Sequence, residues 1–348
     1  MAYTPIDKPS DYFNTVLYTG NATDNHTITG VNFQPDWVWV KGRSEVSSHR
    51  LNDVVRGAGK ELLTNTTDAE YTYSPNTSLK SFDSDGFTLG TDNGINKSSV
   101  TYTSWNWLAG GTAVSNTQGS ITSSVSANTT SGFSIVSWTG NGSNGATIGH
   151  GLGVTPAIVI TKRRSAVGDW LVGGSLIDTV RGGANSLLLL NTTAAMDSNS
   201  EVYQTFSSTT FQVGVNAYAN TSGSTMISYC FAEVKGFSKF GSYTGNGSTD
   251  GTFVYTGFKP AFAILKGTND TNWRMFDNKR LGYNPDNNAL YPNGSDAEDT
   301  QDLIQFFSNG FKLTTTTTQL NGSGTSYIYM AFAENPLVGT NNIPATAR

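Results

Sequence analysis

Ser242-Tyr243-Thr244-Gly245-Asn246-Gly247-Ser248 has two earlier near-copies in the chain. They are Ser137-Trp138-Thr139-Gly140-Asn141-Gly142-Ser143 and Leu17-Tyr18-Thr19-Gly20-Asn21-Ala22-Thr23. The hundred or so residues downstream of each copy repeat as well, in the same order. A proline opens an apolar run that ends in a lysine six places on: Pro35 to Lys41, Pro156 to Lys162, Pro260 to Lys266. Next comes an Asp-x-x-Arg step, Asp53 with Arg56, Asp178 with Arg181, and Asp277 with Arg280. A leucine-asparagine segment closes at Asn65, Asn191 and Asn293. Then come two phenylalanines five apart, Phe82 and Phe87, Phe206 and Phe211, Phe306 and Phe311. Each unit ends on an aromatic run: Tyr102 to Trp107, Ile227 to Phe231, Tyr327 to Phe332. An ordered register of this kind reads as duplication. Units this long can each bury a core, so the expectation is three tandem domains at residues 11–108, 131–235 and 238–334. Residues 1–10 then form an N-terminal arm, 109–130 a Gly/Ser/Thr-rich linker, and 335–348 a C-terminal tail.

The fold class is read from composition. Of 348 residues only 14% are charged while 36% are hydrophobic and 11% aromatic, and Gly, Ser, Thr and Asn fill the gap. That is too aromatic and too weakly charged for a disordered chain. It suits short strands joined by tight turns. Phe133 to Trp138 is rich in aromatic and β-branched residues, and Asp85-Gly86, Asn246-Gly247, Asn309-Gly310 and Asn321-Gly322 are turn dipeptides. The expectation is an all-β chain of antiparallel β-sandwiches, jelly-roll or lectin-like. Helix signal is brief and confined to 297–307, after Asp296 or Asp299 as N-cap. Within 109–130 the weak alternation of Ser120 to Ser126 leaves an edge strand open beside the linker reading.

Charge and hydropathy exclude some classes. A net charge of −5 gives no attraction for nucleic acid or an anionic membrane. No apolar stretch approaches the ~18 residues of a spanning helix, and Met1 to Pro5 carries no signal-peptide pattern. Cys230, the single cysteine, sits in an apolar run and reads as a buried inert thiol. No intrachain disulfide can form, and the Asn-x-Ser/Thr triplets are not read as glycan sites.

Candidate chemistry is sparse. His26, His49 and His150 fall at different places in the register, and none has a nucleophile or ligand partner by spacing. The carboxylates at Asp296, Glu298, Asp299 and Asp302 do not by spacing define a glycosidase pair, and no calcium-loop pattern appears. No catalytic residue, cofactor or metal ligand is expected. Asp53, Arg56, Asp178, Arg181, Asp277 and Arg280 are read as structural pairs, with a ligand-facing or subunit-facing arginine as the alternative. Lys41, Lys162 and Lys266 are read as solvated strand ends. Trp37 and Trp39 share one face by two-residue spacing, with Val38 and Val40 on the other. Burial or subunit contact is one reading for them and for Trp170 and Trp273; surface stacking on a sugar is the other.

Several longer strings resemble a group of bacteriophage virion proteins common in marine phages. These are Gly149 to Pro156, Ser238 to Ser248, Tyr327 to Pro336 and Asp7 to Phe13. The resemblance covers almost the whole chain. It implies a non-enzymatic virion structural protein on the particle exterior, on the tail in preference to the capsid. Its role would be that of a tail fibre or tail appendage for host attachment. The implied partners are other virion proteins, further copies in a homotrimer, and a host-surface glycan, with no nucleic acid and no membrane insertion. No heptad run or shaft repeat is present, which keeps open capsid decoration, and a lectin-like carbohydrate-binding module stands as a further alternative.

Overall fold

The computed structural model describes residues 3–73, 77–280, 284 and 287–339. The ends of the predicted arm and tail, 1–2 and 340–348, lie outside the described residues. The chain is all-β, and its sheets are antiparallel.

The triplication is visible strand by strand. In the first unit Phe13–Thr19, Thr101–Trp107, Trp37–Gly42 and Arg50–Asp53 lie side by side in that order. The second repeats the order with Phe133–Thr139, Thr225–Phe231, Ile158–Arg163 and Trp170–Gly173. The third repeats it with Ser238–Thr244, Ser326–Pro336, Phe258–Gly267 and Arg274–Asp277. Each unit adds a second sheet of three strands: His26–Thr29, Gly86–Leu89 and Leu79–Asp83 in the first. The counterparts are Ala146–Gly149, Thr210–Val213 and Tyr203–Phe206, then Phe253–Tyr255, Gly310–Leu313 and Ile304–Phe307.

Strand alternation decides what each large sheet buries. Val38, Val40 and Tyr102 face the unit's own small sheet and pack with Ile28, Phe87 and Leu89. The second and third units have corresponding private cores around Val159 and Phe211, and around Ala263 and Phe311. The opposite face of each large sheet enters one common core. There Trp37, Trp39, Trp105 and Trp107 of the first unit meet Ile158, Ile160, Tyr229 and Phe231 of the second. Phe262, Ile264, Met330 and Phe332 of the third complete it. The register makes Trp107, Phe231 and Phe332 equivalent. Phe332 reaches both of the others, at ring-centroid distances of 5.6 and 6.0 Å. The space left among these side chains is only 10 Å³. Each unit is thus a two-sheet layer, but the three are not separate beads. They share one filled centre, to which each contributes the equivalent face of its large sheet.

Two expectations change. Residues 109–130 are not a free linker: Val114–Asn116 pairs with Ser123–Asn128, which pairs with Phe133–Thr139, and Ile121 bridges Ile148. The segment is a strand, as the alternative reading had it, but not an edge: Ser123–Asn128 lies inside the sheet and Val114–Asn116 forms its edge. The window 297–307 is not helical either. Asp299 bridges Ala289, and Ile304–Phe307 is a strand whose Phe306 pairs with Phe311. The longest described helix is instead Ser175–Arg181, ended by Gly182 in the left-handed region at φ 81°.

Candidate functional site

Some of the repeated residues hold loops within a unit, and others tie one unit to the next. Three repeated asparagines hold the Thr-Gly-Asn loops. Asn96, Asn220 and Asn321 are fully buried. Each side-chain oxygen accepts the backbone N–H of the motif asparagine, at 2.9 Å from Asn21, 3.0 Å from Asn141 and 3.0 Å from Asn246. Each amide nitrogen donates back to the loop, to Thr23 O at 2.9 Å, Ser143 O at 2.8 Å and Ser248 O at 2.8 Å. The motif glycine is required by close approach. A Cβ on Gly20, Gly140 or Gly245 would lie 2.2, 2.3 or 2.4 Å from a backbone carbonyl oxygen. The most recognisable phrase of the sequence is therefore a loop-holding device.

A second set runs between units. Trp170 Nε1 of the second unit donates to Leu63 O of the first at 2.8 Å. Trp273 Nε1 of the third donates to Leu189 O of the second at 2.9 Å. His49 holds the same place in the first unit, opposite Lys41 as Trp170 is opposite Lys162. Its ring interacts with the Tyr291 backbone of the third unit, although Nε2 makes no hydrogen bond of normal geometry. The main chain closes the same ring: Gly168 N to Thr67 O at 2.8 Å, Thr271 N to Thr193 O at 3.0 Å, and Ser47 N to Ser295 O at 2.8 Å.

The Asp-x-x-Arg pairs belong to these joints, in two of three cases. Arg56 Nε donates to Asp53 Oδ2 at 2.5 Å, and Nη1 reaches Glu70 at 3.3 Å. Arg280 Nε donates to Asp277 Oδ2 at 2.7 Å, and Nη1 reaches Glu298 at 3.2 Å. The neighbouring unit completes each group. Tyr229 OH donates to Asp53 Oδ2 at 2.7 Å and Arg164 forms a fork with Glu70 at 2.8 and 3.0 Å. Trp105 Nε1 donates to Asp277 Oδ2 at 2.9 Å and Arg43 forks Glu298 at 2.9 Å on both nitrogens. Each cluster holds two arginines and two carboxylates, so its charge closes. The two added guanidiniums hold Glu70 and Glu298 below the usual carboxylate range against the opposing effect of burial.

Asp178 and Arg181 are not the third copy. They lie on the helix Ser175–Arg181, where Arg181 is exposed and Asp178 Oδ1 accepts the Ser186 N–H at 2.9 Å. Counting through the paired strands puts Gly174 at the place of Asp53 and Asp277. Its partner place across the joint, filled by Tyr229 and Trp105 elsewhere, is Met330. Met196 and Thr268 likewise hold the places of the Glu–Arg fork, keeping only the Met196 N to Thr268 O bond at 2.8 Å. The joint between the second and third units lacks both members of each polar pair. Ile177, Leu176 and Met196 pack there instead.

The other candidates are corrected by burial. Lys41, Lys162 and Lys266 are not solvated strand ends. All three are fully buried. Lys162 Nζ donates to Thr67 O at 2.9 Å, Lys266 Nζ to Thr193 O at 3.1 Å, and Lys41 Nζ to Gly42 O at 2.6 Å. Burial lowers each ammonium pKa from 10.5 to about 8. Trp37, Trp39, Trp170 and Trp273 are buried as well. They are interior anchors and offer no ring to a sugar. Exposed rings occur elsewhere, Phe253 and Tyr255 among them.

Each histidine is held by structural contacts. His26 Nδ1 lies 2.8 Å from Asn96 Oδ1, Trp39 Nε1 donates to His49 Nδ1 at 3.0 Å, and Leu152 N donates to His150 Nδ1 at 3.2 Å. Burial lowers the pKa of His49 and His150. Among the described residues no three His, Cys, Asp or Glu side chains form a metal-like cluster, and no helix is long and apolar enough to cross a membrane.

These features define an all-β protein of three repeated two-sheet units joined around one centre. Residues 8–336 match the family described as Domain of unknown function (DUF7483), and the chain belongs to that family. No curated protein and no solved structure matches it.

Proposed function

We propose that the chain is a non-enzymatic structural protein of a bacteriophage particle, serving as a tail fibre or tail appendage component in host attachment. The observation that carries this reading is the use of the repeated residues. Trp170, Trp273, Lys162, Lys266 and two Asp–Arg clusters tie one unit to the next, while the asparagines hold the loops within each unit. A durable particle component needs a body tied in this way, because it must persist by unfolding slowly. The phage-like strings at Ser238 to Ser248 and Tyr327 to Pro336 lie in core strands and held loops, so the resemblance concerns the framework. The common core also satisfies each unit's inner face within one chain. A homotrimer on the particle would therefore rest on outer surfaces.

Capsid decoration is a second reading, favoured by the absence of any shaft among the described residues. Gold labelling of intact particles separates the two by position, and excess purified protein should slow host adsorption if attachment is its work. Unchanged adsorption with label on the capsid would replace the first reading by the second.

A further inference from the structure

Comparison of the three units separates what the fold needs from what one unit alone carries. Ile28, Ile148 and Val254 are equivalent inward residues of the outer edge strand, set opposite Phe87, Phe211 and Phe311. The flanking outward positions are Thr27 and Thr29 in the first unit, and Thr147 and Gly149 in the second. In the third they are Phe253 and Tyr255, 45% and 55% exposed. Two units fold without rings at these places, and while Phe253 packs edge-on against Phe307 at 6.1 Å, Tyr255 turns to the cleft described next. The second unit also covers this edge, with Ile121 bridging Ile148.

Tyr255 borders a cleft of 240 Å³ formed with the N-terminal arm and the joint after the second unit. Tyr3 OH donates to Gly257 O at 2.7 Å. Gly257 has φ +80°, and a Cβ there would lie 2.8 Å from the Tyr3 hydroxyl and 3.6 Å from that of Tyr255. A glycine is what lets two phenols converge on one wall. Lys235 Nζ stands 4.6 Å from the Tyr3 ring centroid. Glu233, also in the lining, is already paired with Lys239 at 2.7 Å. Of these charges, the Lys235 ammonium is the one facing a ring instead of a carboxylate.

We propose that this cleft is a carbohydrate subsite for an acidic pyranose, a hexuronate unit of a surface polysaccharide. The Tyr255 ring takes the apolar C–H face of the sugar, which aromatic rings with a wet edge suit. The phenol hydroxyls and Glu233 meet sugar hydroxyls, and Lys235 meets the carboxylate. Its use in attachment rests on the reading above, but binding is read in solution. Saturable binding with unchanged adsorption would sink attachment and leave the subsite standing.

The test is titration of the isotope-labelled full chain with tetragalacturonate and with neutral maltotetraose, followed by NMR. Saturable shifts centred on Tyr3, Lys235 and Tyr255 are expected with the acidic probe. Tyr255→Ala should weaken its binding at least ten-fold, and Lys235→Gln should abolish the preference for acidic over neutral. Both residues are exposed, and an unchanged denaturation midpoint checks that each variant folds. Absence of saturation, shifts confined to another surface, or full binding by Tyr255→Ala would overturn the subsite. Equal affinity for the neutral probe would overturn its acidic assignment.

Discussion

The Tyr229 hydroxyl donates to Asp53 Oδ2 at 2.7 Å across the joint between the second and first units, on a carboxylate that also holds Arg56. Buried among aromatic rings, the phenol is pushed well above its ordinary pKa and stays a donor. Tyr229→Phe should destabilise by about 1.5–3 kcal/mol, the range for a hydrogen bond to a charged group. Asp53→Ala leaves the Arg56 guanidinium buried without its nearest counter-charge and should cost about 3–5 kcal/mol. Denaturant midpoints at constant slope measure both. A Tyr229→Phe midpoint equal to that of the parent would show that this contact does not hold the joint.

Asn96, Asn220 and Asn321 should prove interchangeable in effect. Each alanine variant strips a buried loop of both a donor and an acceptor, leaving main-chain groups unpaired at about 1–3 kcal/mol apiece. Hydrogen exchange should show faster opening at 21–23, 141–143 or 246–248 in the matching variant only. Protection lost evenly over the whole chain would count against a local staple.

Lys41, Lys162 and Lys266 give the protein a pH dependence of known sign. Their folded pKa of about 8 lies below the unfolded 10.5, so between these values the unfolded chain holds more protons. The unfolding free energy should therefore rise from pH 8 toward pH 10, with the burial penalty greatest below pH 8. Lys266→Met should flatten part of that rise in chemical denaturation followed by fluorescence. Above pH 10 the buried tyrosines Tyr18, Tyr229 and Tyr243 act oppositely, because their folded pKa values are raised. A stability that falls steadily from pH 8 to 10 contradicts the lysine assignment.

The common core predicts one cooperative transition for the whole chain. An isolated 131–235 fragment would expose Ile158, Ile160, Tyr229 and Phe231 to water, where each loses roughly 1.5–3 kcal/mol of burial. It should be unfolded or self-associated. Circular dichroism with sedimentation decides, and a well-folded monomeric fragment would restore the picture of independent domains.

Cys230 should resist thiol reagents in the native protein and react only on unfolding. It is fully buried, and burial pushes its pKa up to about 12. Fast labelling under native conditions would show that the strand Thr225–Phe231 opens locally.

Strands, turns and the register of repetition were legible because they are local. Two-residue alternation put Trp37 and Trp39 on one face and Val38 and Val40 on the other, and the structure separates them into two cores. What the inner face meets was not legible, since Trp37 touches Tyr229 and Phe231 almost 200 positions away. The same lack hid the burial of the lysines, two of which find acceptors on a neighbouring unit, Thr67 O for Lys162 and Thr193 O for Lys266. The misplaced Asp178–Arg181 pair had a readable clue. Asp53 follows Lys41 by twelve places and Asp277 follows Lys266 by eleven, whereas Asp178 follows Lys162 by sixteen, and Gly182-Gly183 after Arg181 is a helix-stop signal. The exposure of Phe253 and Tyr255 carries no local signal, since alternation alone does not say which face of an outer strand is left uncovered.

Gly174 and Met330 show what it means to carry three copies on one polypeptide. In an assembly of identical chains a substitution appears at every contact, so losing a carboxylate weakens all of them at once. Here one seam is packed with hydrocarbon while the other two hold ions. The same freedom lets a single copy acquire a recognition surface without imposing it on its siblings.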